Sequence, residues 1–164
     1  MRGMGTGKGA SRGGRRFDSP EQEAFLNLWR TYDRLRALED DLFAAFELTP
    51  QQYNLLRLLK ADRPDPVPTL ALAERLVSRA PDITRMLDKL EARGLIARAR
   101  SAEDRRSVLV TVTDKGLELV TKIATPLRAC HARQLGHLTP TQLATLTELL
   151  QAARAPHEPS ETWK

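Results

Sequence analysis

From Pro20 onward, apolar residues recur at three- and four-residue steps. Phe25, Leu28, Trp29, Tyr32, Leu35, Leu38, Leu42, Phe43 and Phe46 mark one long amphipathic helix running to about Glu47. Tyr53, Leu55, Leu56, Leu58 and Leu59 carry a second, shorter helix. The segment from Ala61 to Pro68 holds three prolines and three charges, which ends that helix and predicts a loop. Thr69 is placed to cap a short helix ending near Val77. Ser78 is placed to cap the next, whose buried stripe is Ile83, Met86, Leu87 and Leu90 and whose C-terminal glycine is Gly94.

The period then changes. Leu95 to Arg100 alternates small or apolar residues with arginine, and Val108 to Val112 is β-branched at alternate positions, so two short strands are predicted around the charged tip SAEDRRS. Thr113 can cap a long helix carrying Leu117, Val120, Ile123, Leu127 and Cys130, in which Pro126 predicts a kink or break. A last helix from Pro140 aligns Leu143, Leu146, Leu149 and Leu150, and residues 156–164 look frayed. Three helix starts share one device. Ser19-Pro20-Glu21-Gln22, Thr49-Pro50-Gln51-Gln52 and Thr139-Pro140-Thr141-Gln142 each offer a capping hydroxyl, a proline at the first helical position and a glutamine three residues after the cap.

The order helix, tight turn, helix, strand, charged hairpin, strand is that of a helix-turn-helix with a β-hairpin wing, spanning residues 69–113. At 100° per residue, Thr84, Arg85, Asp88 and Lys89 fall on the face opposite the buried stripe. Arg85 can then make a bidentate contact to guanine or clamp a phosphate, and Thr84 can do either. Ser78, Arg79 and Pro81, where this helix opens, join the candidates, since a helix N-terminus offers N–H groups to a phosphate. A solvated charged face is the bland alternative. The wing adds Arg98, Arg100, Ser101, Asp104, Arg105 and Arg106 on a tip with nothing apolar to bury. An Asp104 carboxylate holding the Arg106 guanidinium forward suits a narrow minor groove, and a salt-bridged turn that only stiffens the hairpin is the other possibility.

Charge sharpens this picture. Of 26 basic residues, five lie in residues 1–16 with no acid, which leaves 21 basic against 21 acidic residues in the rest. The sequence pI of about 9.8 therefore belongs to the tail. Within the body, residues 17–49 are net −5 and residues 79–106 net +3, a polarity that points to a phosphate-facing middle. The glycine- and arginine-rich tail is expected to be disordered: a solubilising arm, an expression remnant or a DNA-touching arm.

Residues 80–96, APDITRMLDKLEARGLI, and residues 103–116, EDRRSVLVTVTDKG, resemble the recognition helix and wing of the MarR family of winged-helix transcription regulators. The likeness extends by element order over residues 20–152. It implies a mainly α fold: a domain over residues 17–155 in which helices of residues 17–60 and 114–153 form a dimer interface around a winged helix-turn-helix with a two-stranded wing. It further implies a cytoplasmic homodimer on double-stranded DNA at a pseudo-palindromic operator, most often a repressor. Arg106 becomes the minor-groove finger beside Asp104, and release follows binding of a small anionic or phenolic effector. Identical reading heads on a two-fold dimer also demand half-sites about one helical turn apart.

Trp29, Tyr32 and Tyr53 fall on helices bordering the family's effector pocket, although core packing at helical spacing is the favoured reading for each. Cys130 has apolar neighbours and reads as a small buried hydrophobe, and the first helix has no cysteine for oxidant sensing. His131, His137 and His157 are not spaced as metal ligands, so neither metal nor cofactor is expected. There is no phosphate loop or nucleophile elbow, which argues against an enzyme. No apolar run is long enough for a membrane span, and the basic N-terminus lacks the apolar core of a secretory signal. The competing function is a basic architectural or RNA-binding protein that holds phosphates without reading sequence.

Overall fold

The computed structural model describes residues 17–76, 82–104 and 106–158. Its elements in order are helix α1 (Pro20–Ala44), helix α2 (Pro50–Asp62), strand β1 (Val67–Pro68), helix α3 (Thr69–Arg75), helix α4 (Ile83–Ala92), strands β2 (Ile96–Arg100) and β3 (Val108–Val112), and helices α5 (Asp114–Leu135) and α6 (Pro140–Arg154). A 3-10 turn, Ala155–His157, takes up the first of the residues expected to fray, and residues 159–164 lie outside the described residues. The fold is the mainly helical winged helix-turn-helix that the periodicities predict.

The shared capping device is realised at all three starts. Thr49 and Thr139 each accept from the backbone N–H of the glutamine three residues on, whose own side chain returns a bond to the cap. Ser19 Oγ likewise accepts from Gln22 N at 3.1 Å. α5 begins as predicted, with the Thr113 hydroxyl accepting from Gly116 N at 3.1 Å.

The chain divides into two units, residues 1–34 and 35–164. In the first, the α1 segment presents Phe25, Trp29 and Tyr32 at 60%, 57% and 58% exposure, and the Phe25 and Trp29 rings lie 6.1 Å apart.

The second unit holds the core. Leu55, Leu56 and Leu59 of α2 pack with Leu72 and Leu76 from α3 and its end, Leu87 and Leu90 of α4, Leu95 and Ile96 leading into β2, Val110 and Val112 of β3, and Val120 and Ile123 of α5. These side chains come from every element around the hairpin, so burying them fixes the winged lobe as one body. The sheet is antiparallel in the order β1-β3-β2, with Ile96 opposite Val112, Arg98 opposite Val110 and Arg100 opposite Val108.

Four local expectations are corrected. The proline-rich loop ends in an edge strand, β1, with Val67 opposite Val110. Pro68, lacking an N–H, is tolerated there because an edge strand leaves half its hydrogen-bonding positions unused. Thr69 does not cap α3. The cap is Pro68, without a side-chain bond, and the Thr69 hydroxyl donates instead to the Val108 carbonyl at 3.1 Å. α4 starts later than Ser78, at Ile83, because Asp82 Oδ1 accepts from Arg85 N at 3.0 Å and fixes the N-terminus there. α5 runs unbroken through Pro126, so the proline does not end the helix.

Candidate nucleic-acid interface

α4 buries Leu87 and Leu90, half-buries Ile83 and Met86, and leaves Thr84, Arg85, Asp88 and Lys89 exposed, as its sequence pattern predicts. The Arg85 side chain is 83% exposed and its Nε lies 3.0 Å from Asp82 Oδ2, a contact open to solvent and easily exchanged for a phosphate or a base edge. Asp88 and Lys89 differ in their surroundings. Lys89 forms no ion pair among the described residues, whereas Asp88 Oδ1 lies 2.7 Å from Arg98 Nη2.

The far end of α4 is held by a Schellman turn. Gly94 at φ 68 donates to Glu91 O at 2.8 Å, and Leu95 N donates to Leu90 O at 3.0 Å. Arg93 reaches across from this turn, its guanidinium donating to the Phe46 carbonyl at 3.2 Å and to the Glu47 carbonyl. Lys115 Nζ donates to the Arg93 carbonyl at 2.7 Å.

In the wing, Ser101 Oγ accepts from the backbone N–H groups of Glu103 and Asp104, each at 3.2 Å. Ser101 N donates to Ser107 O at 3.0 Å and closes the hairpin. The expected grip of Asp104 on the Arg106 guanidinium is replaced by a backbone bond. Asp104 Oδ1 accepts from Arg106 N at 2.9 Å, forming an Asx turn that shapes the tip, while the exposed Arg106 side chain makes no ion pair among the described residues. Arg100 is exposed on the same strand as Arg98. Arg98 is not free: Nε and Nη2 donate to Glu91 Oε2 at 2.9 and 2.5 Å, and its side chain is only 25% exposed. This pairing, with Arg98 as hydrogen-bond donor, holds the Glu91 carboxyl below the usual glutamate range.

Ser78, Arg79, Pro81 and Arg105, also candidates from the sequence, lie outside the described residues. A groove of about 460 Å³ runs between the start of α3, Thr84 and the wing residues Asp104, Arg106 and Val108. Sequence reasoning missed both the Arg93 bridge and the pairing of Glu91 with Arg98. An acid and a base seven residues apart across a glycine turn is the one signal that could have found the latter.

The three aromatic effector candidates separate. Trp29 and Tyr32 are exposed on α1, whereas Tyr53 is buried with its ring 5.0 Å from Phe43. Cys130 is buried, and burial together with the nearby Glu39 carboxylate pushes its thiol up. Among the described residues no group of three or more His, Cys, Asp or Glu side chains is placed to hold a metal ion. No helix among them is long and apolar enough to cross a membrane.

The model of the MarR family matches residues 48–108, from the end of the α1 turn to the wing. An uncharacterised HTH-type transcriptional regulator of Bacillus subtilis, YkoM, is 31% identical over 144 residues, covering 84% of this chain and 90% of its own. The chain belongs to the MarR family. It is therefore a DNA-binding transcription regulator and not an enzyme. Among solved MarR structures, the transcription factor from Planctomyces limnophilus is 51% identical, covering 84% of this chain and 99% of its own, with a TM-score of 0.67. BpsR of Bordetella bronchiseptica, described as regulated in its DNA binding by 6-hydroxynicotinic acid, is 25% identical, covering 84% of this chain and 96% of its own, at a TM-score of 0.74.

Proposed function

We propose that this chain acts in the cytoplasm as a homodimeric repressor that reads a pseudo-palindromic operator and is released by a small aromatic acid. The observation that carries the DNA-reading part is the exposed face of α4, where Thr84, Arg85 and Lys89 stand clear of the core beside a wing whose Arg106 is unpaired among the described residues. Such a face suits the major groove, and an arginine on a narrow tip suits the minor groove. Arg100, Ser101 and Arg105 are assigned to the flanking phosphates, and Ser78, Arg79 and Pro81 to the backbone beside the recognition helix.

Homodimerisation is supported by the exposed Phe25, Trp29 and Tyr32 of α1, a cluster of large apolar side chains for a monomer to leave in water, and separately by Leu149 of α6, which is 64% exposed. The effector class follows the small aromatic acid named for BpsR, and the exposed rings of Trp29 and Tyr32 are the residues assigned to stack on it.

The test is fluorescence anisotropy of the purified protein on duplex from the intergenic region upstream of its own coding sequence, against shuffled duplex, over a range of salt. Preference of about 10³ or more, with one dimer per site, supports an operator reader. Should selection from random DNA also yield no preferred sequence, with steeply salt-dependent binding to every duplex, the protein is a general phosphate binder and the proposal fails.

A further inference from the structure

Arg98 departs from its neighbours on the wing. Arg100 and Arg106 are exposed, but the Arg98 guanidinium lies between two carboxylates of the recognition helix, Glu91 Oε2 at 2.5 Å and Asp88 Oδ1 at 2.7 Å from the same nitrogen, Nη2. Asp88 and Glu91 are three residues apart on α4 and share one flank, where two like charges repel unless a cation sits between them. Arg98 is that cation. Its planar fork engages both, which a lysine's point charge cannot reproduce with the same geometry.

The clamp also closes an angle. α4 and β2 are joined at the Schellman turn around Gly94 and share the core through Leu90 and Ile96, both close to that joint. Contacts from Arg98 back to residues 88 and 91 attach strand to helix at a second point, away from the joint. β2 runs from Ile96 to Arg100, a lever of about 13 Å at roughly 3.3 Å per residue, with the turn at Asp104 beyond its end. A swing of about 10° would then move the end of the strand, and the tip with it, by about 2 Å or more, which is enough to take a side chain out of hydrogen-bonding range of a groove.

Building on the operator reading above, we propose that Arg98 is a positioning residue: by clamping Asp88 and Glu91 it fixes the wing at the angle at which Arg106 and the α4 face engage DNA together, and it does not itself contact phosphate. Loss of the clamp then lowers selectivity for the operator, whereas loss of a phosphate contact lowers affinity for all DNA.

The experiment measures binding of full-length wild type, Arg98→Lys, Arg98→Gln and Glu91→Gln to a duplex selected by the wild type from random DNA and to a shuffled duplex, over a salt series. Circular dichroism checks each fold, and Arg98→Lys, which keeps charge and bulk, carries the test if Arg98→Gln does not fold. The expected result for Arg98→Lys is a loss of about tenfold or more on the selected duplex, little change on the shuffled one and an unchanged salt slope. Glu91→Gln is expected to lower the same selected-to-shuffled ratio. Wild-type behaviour of Arg98→Lys on both duplexes overturns the proposal. So does an equal loss on both duplexes in Arg98→Gln with a slope smaller by about one, or tighter binding of both by Glu91→Gln with the ratio unchanged, since each assigns Arg98 to a phosphate. If the wild type selects no sequence, the operator reading falls and this inference with it; if it selects one and the variants keep the ratio, only this inference falls.

Discussion

Gly116, in the first turn of α5, lies so close to Leu95, the residue just before β2, that a Cβ on it would stand 2.2 Å from the Leu95 carbonyl oxygen and 2.8 Å from Val112 Cγ2. The carbonyl is already engaged, accepting from Thr113 N at 3.1 Å, so it cannot turn aside without breaking the joint between the sheet and α5. Gly116→Ala is expected to destabilise the protein by about 1–3 kcal/mol, as overpacking against backbone does. Urea unfolding followed by circular dichroism measures this. A loss under about 0.5 kcal/mol would mean that α5 slides at no cost.

Glu47 closes α1 in the conformation that glycine usually supplies. Its φ is 53, Glu47 N donates to Ala44 O and Leu48 N donates to Phe43 O, each at 3.0 Å, which makes a Schellman turn with a side chain at the left-handed position. The Arg93 guanidinium on the Phe46 and Glu47 carbonyls needs only backbone oxygens, and the Glu47 carboxylate is 3.9 Å from Arg93 and well exposed. Glu47→Gly is therefore expected to raise stability by about 0.5–1 kcal/mol by removing the Cβ penalty. A fall in the urea midpoint would show instead that the side-chain pairing with Arg93 outweighs the backbone strain.

The winged lobe was legible in the sequence because its signals are local: capping hydroxyls at Thr49, Thr113 and Thr139, a glycine after α4, and alternation in β2 and β3. The exposed face of α4 followed from helical period alone. What escaped was non-local. β1 is two residues long and its pairing partner lies more than forty residues away, so prolines hid it. Arg98 and Arg106 are both wing arginines in sequence, and only the fold shows that one is clamped and the other free of ion pairs among the described residues. The Arg93 bridge joins residues 46 and 47 positions apart, a contact no spacing rule reaches.

The Glu91–Arg98 pair gives a pH dependence with a definite sign. In the folded protein the hydrogen bonds from Arg98 hold the Glu91 carboxyl below its ordinary value of 4.5. A depressed carboxylate contributes stability above that ordinary value and loses it as pH falls through the folded one. The melting temperature of the wild type should thus exceed that of Glu91→Gln near neutrality, with the gap narrowing only in acid. A gap that stayed constant from pH 7 to pH 3 would show that the carboxylate charge plays no part.

Cys130 is 3% exposed, and burial with the nearby Glu39 charge raises its thiol above the ordinary cysteine range, so it is protonated at neutral pH and shielded from attack. Iodoacetamide is expected to label the folded protein slowly at pH 7.5 and rapidly in urea, with mass spectrometry counting the adducts. Rapid labelling without denaturant would mean that the helix carrying it opens readily and that the thiol is not shielded.

Asp104 offers a way to tell shape from charge at the wing tip. Its Oδ1 accepts from Arg106 N at 2.9 Å, its own N–H donates to Ser101 Oγ at 3.2 Å, and its carbonyl accepts from Ser107 N at 2.9 Å. Only the first of these needs the side chain, and an asparagine amide oxygen can accept the same bond. Asp104→Ala removes the turn and should weaken DNA binding by about fivefold, the cost of one net hydrogen bond transmitted to the placement of Arg106. Asp104→Asn keeps the turn and sheds a negative charge near phosphate, so it should bind as tightly as the wild type or more tightly. Anisotropy at matched salt separates the cases. If Asn and Ala weaken binding equally, the carboxylate charge steers the Arg106 guanidinium when DNA is bound, and the tip rearranges from the conformation seen here.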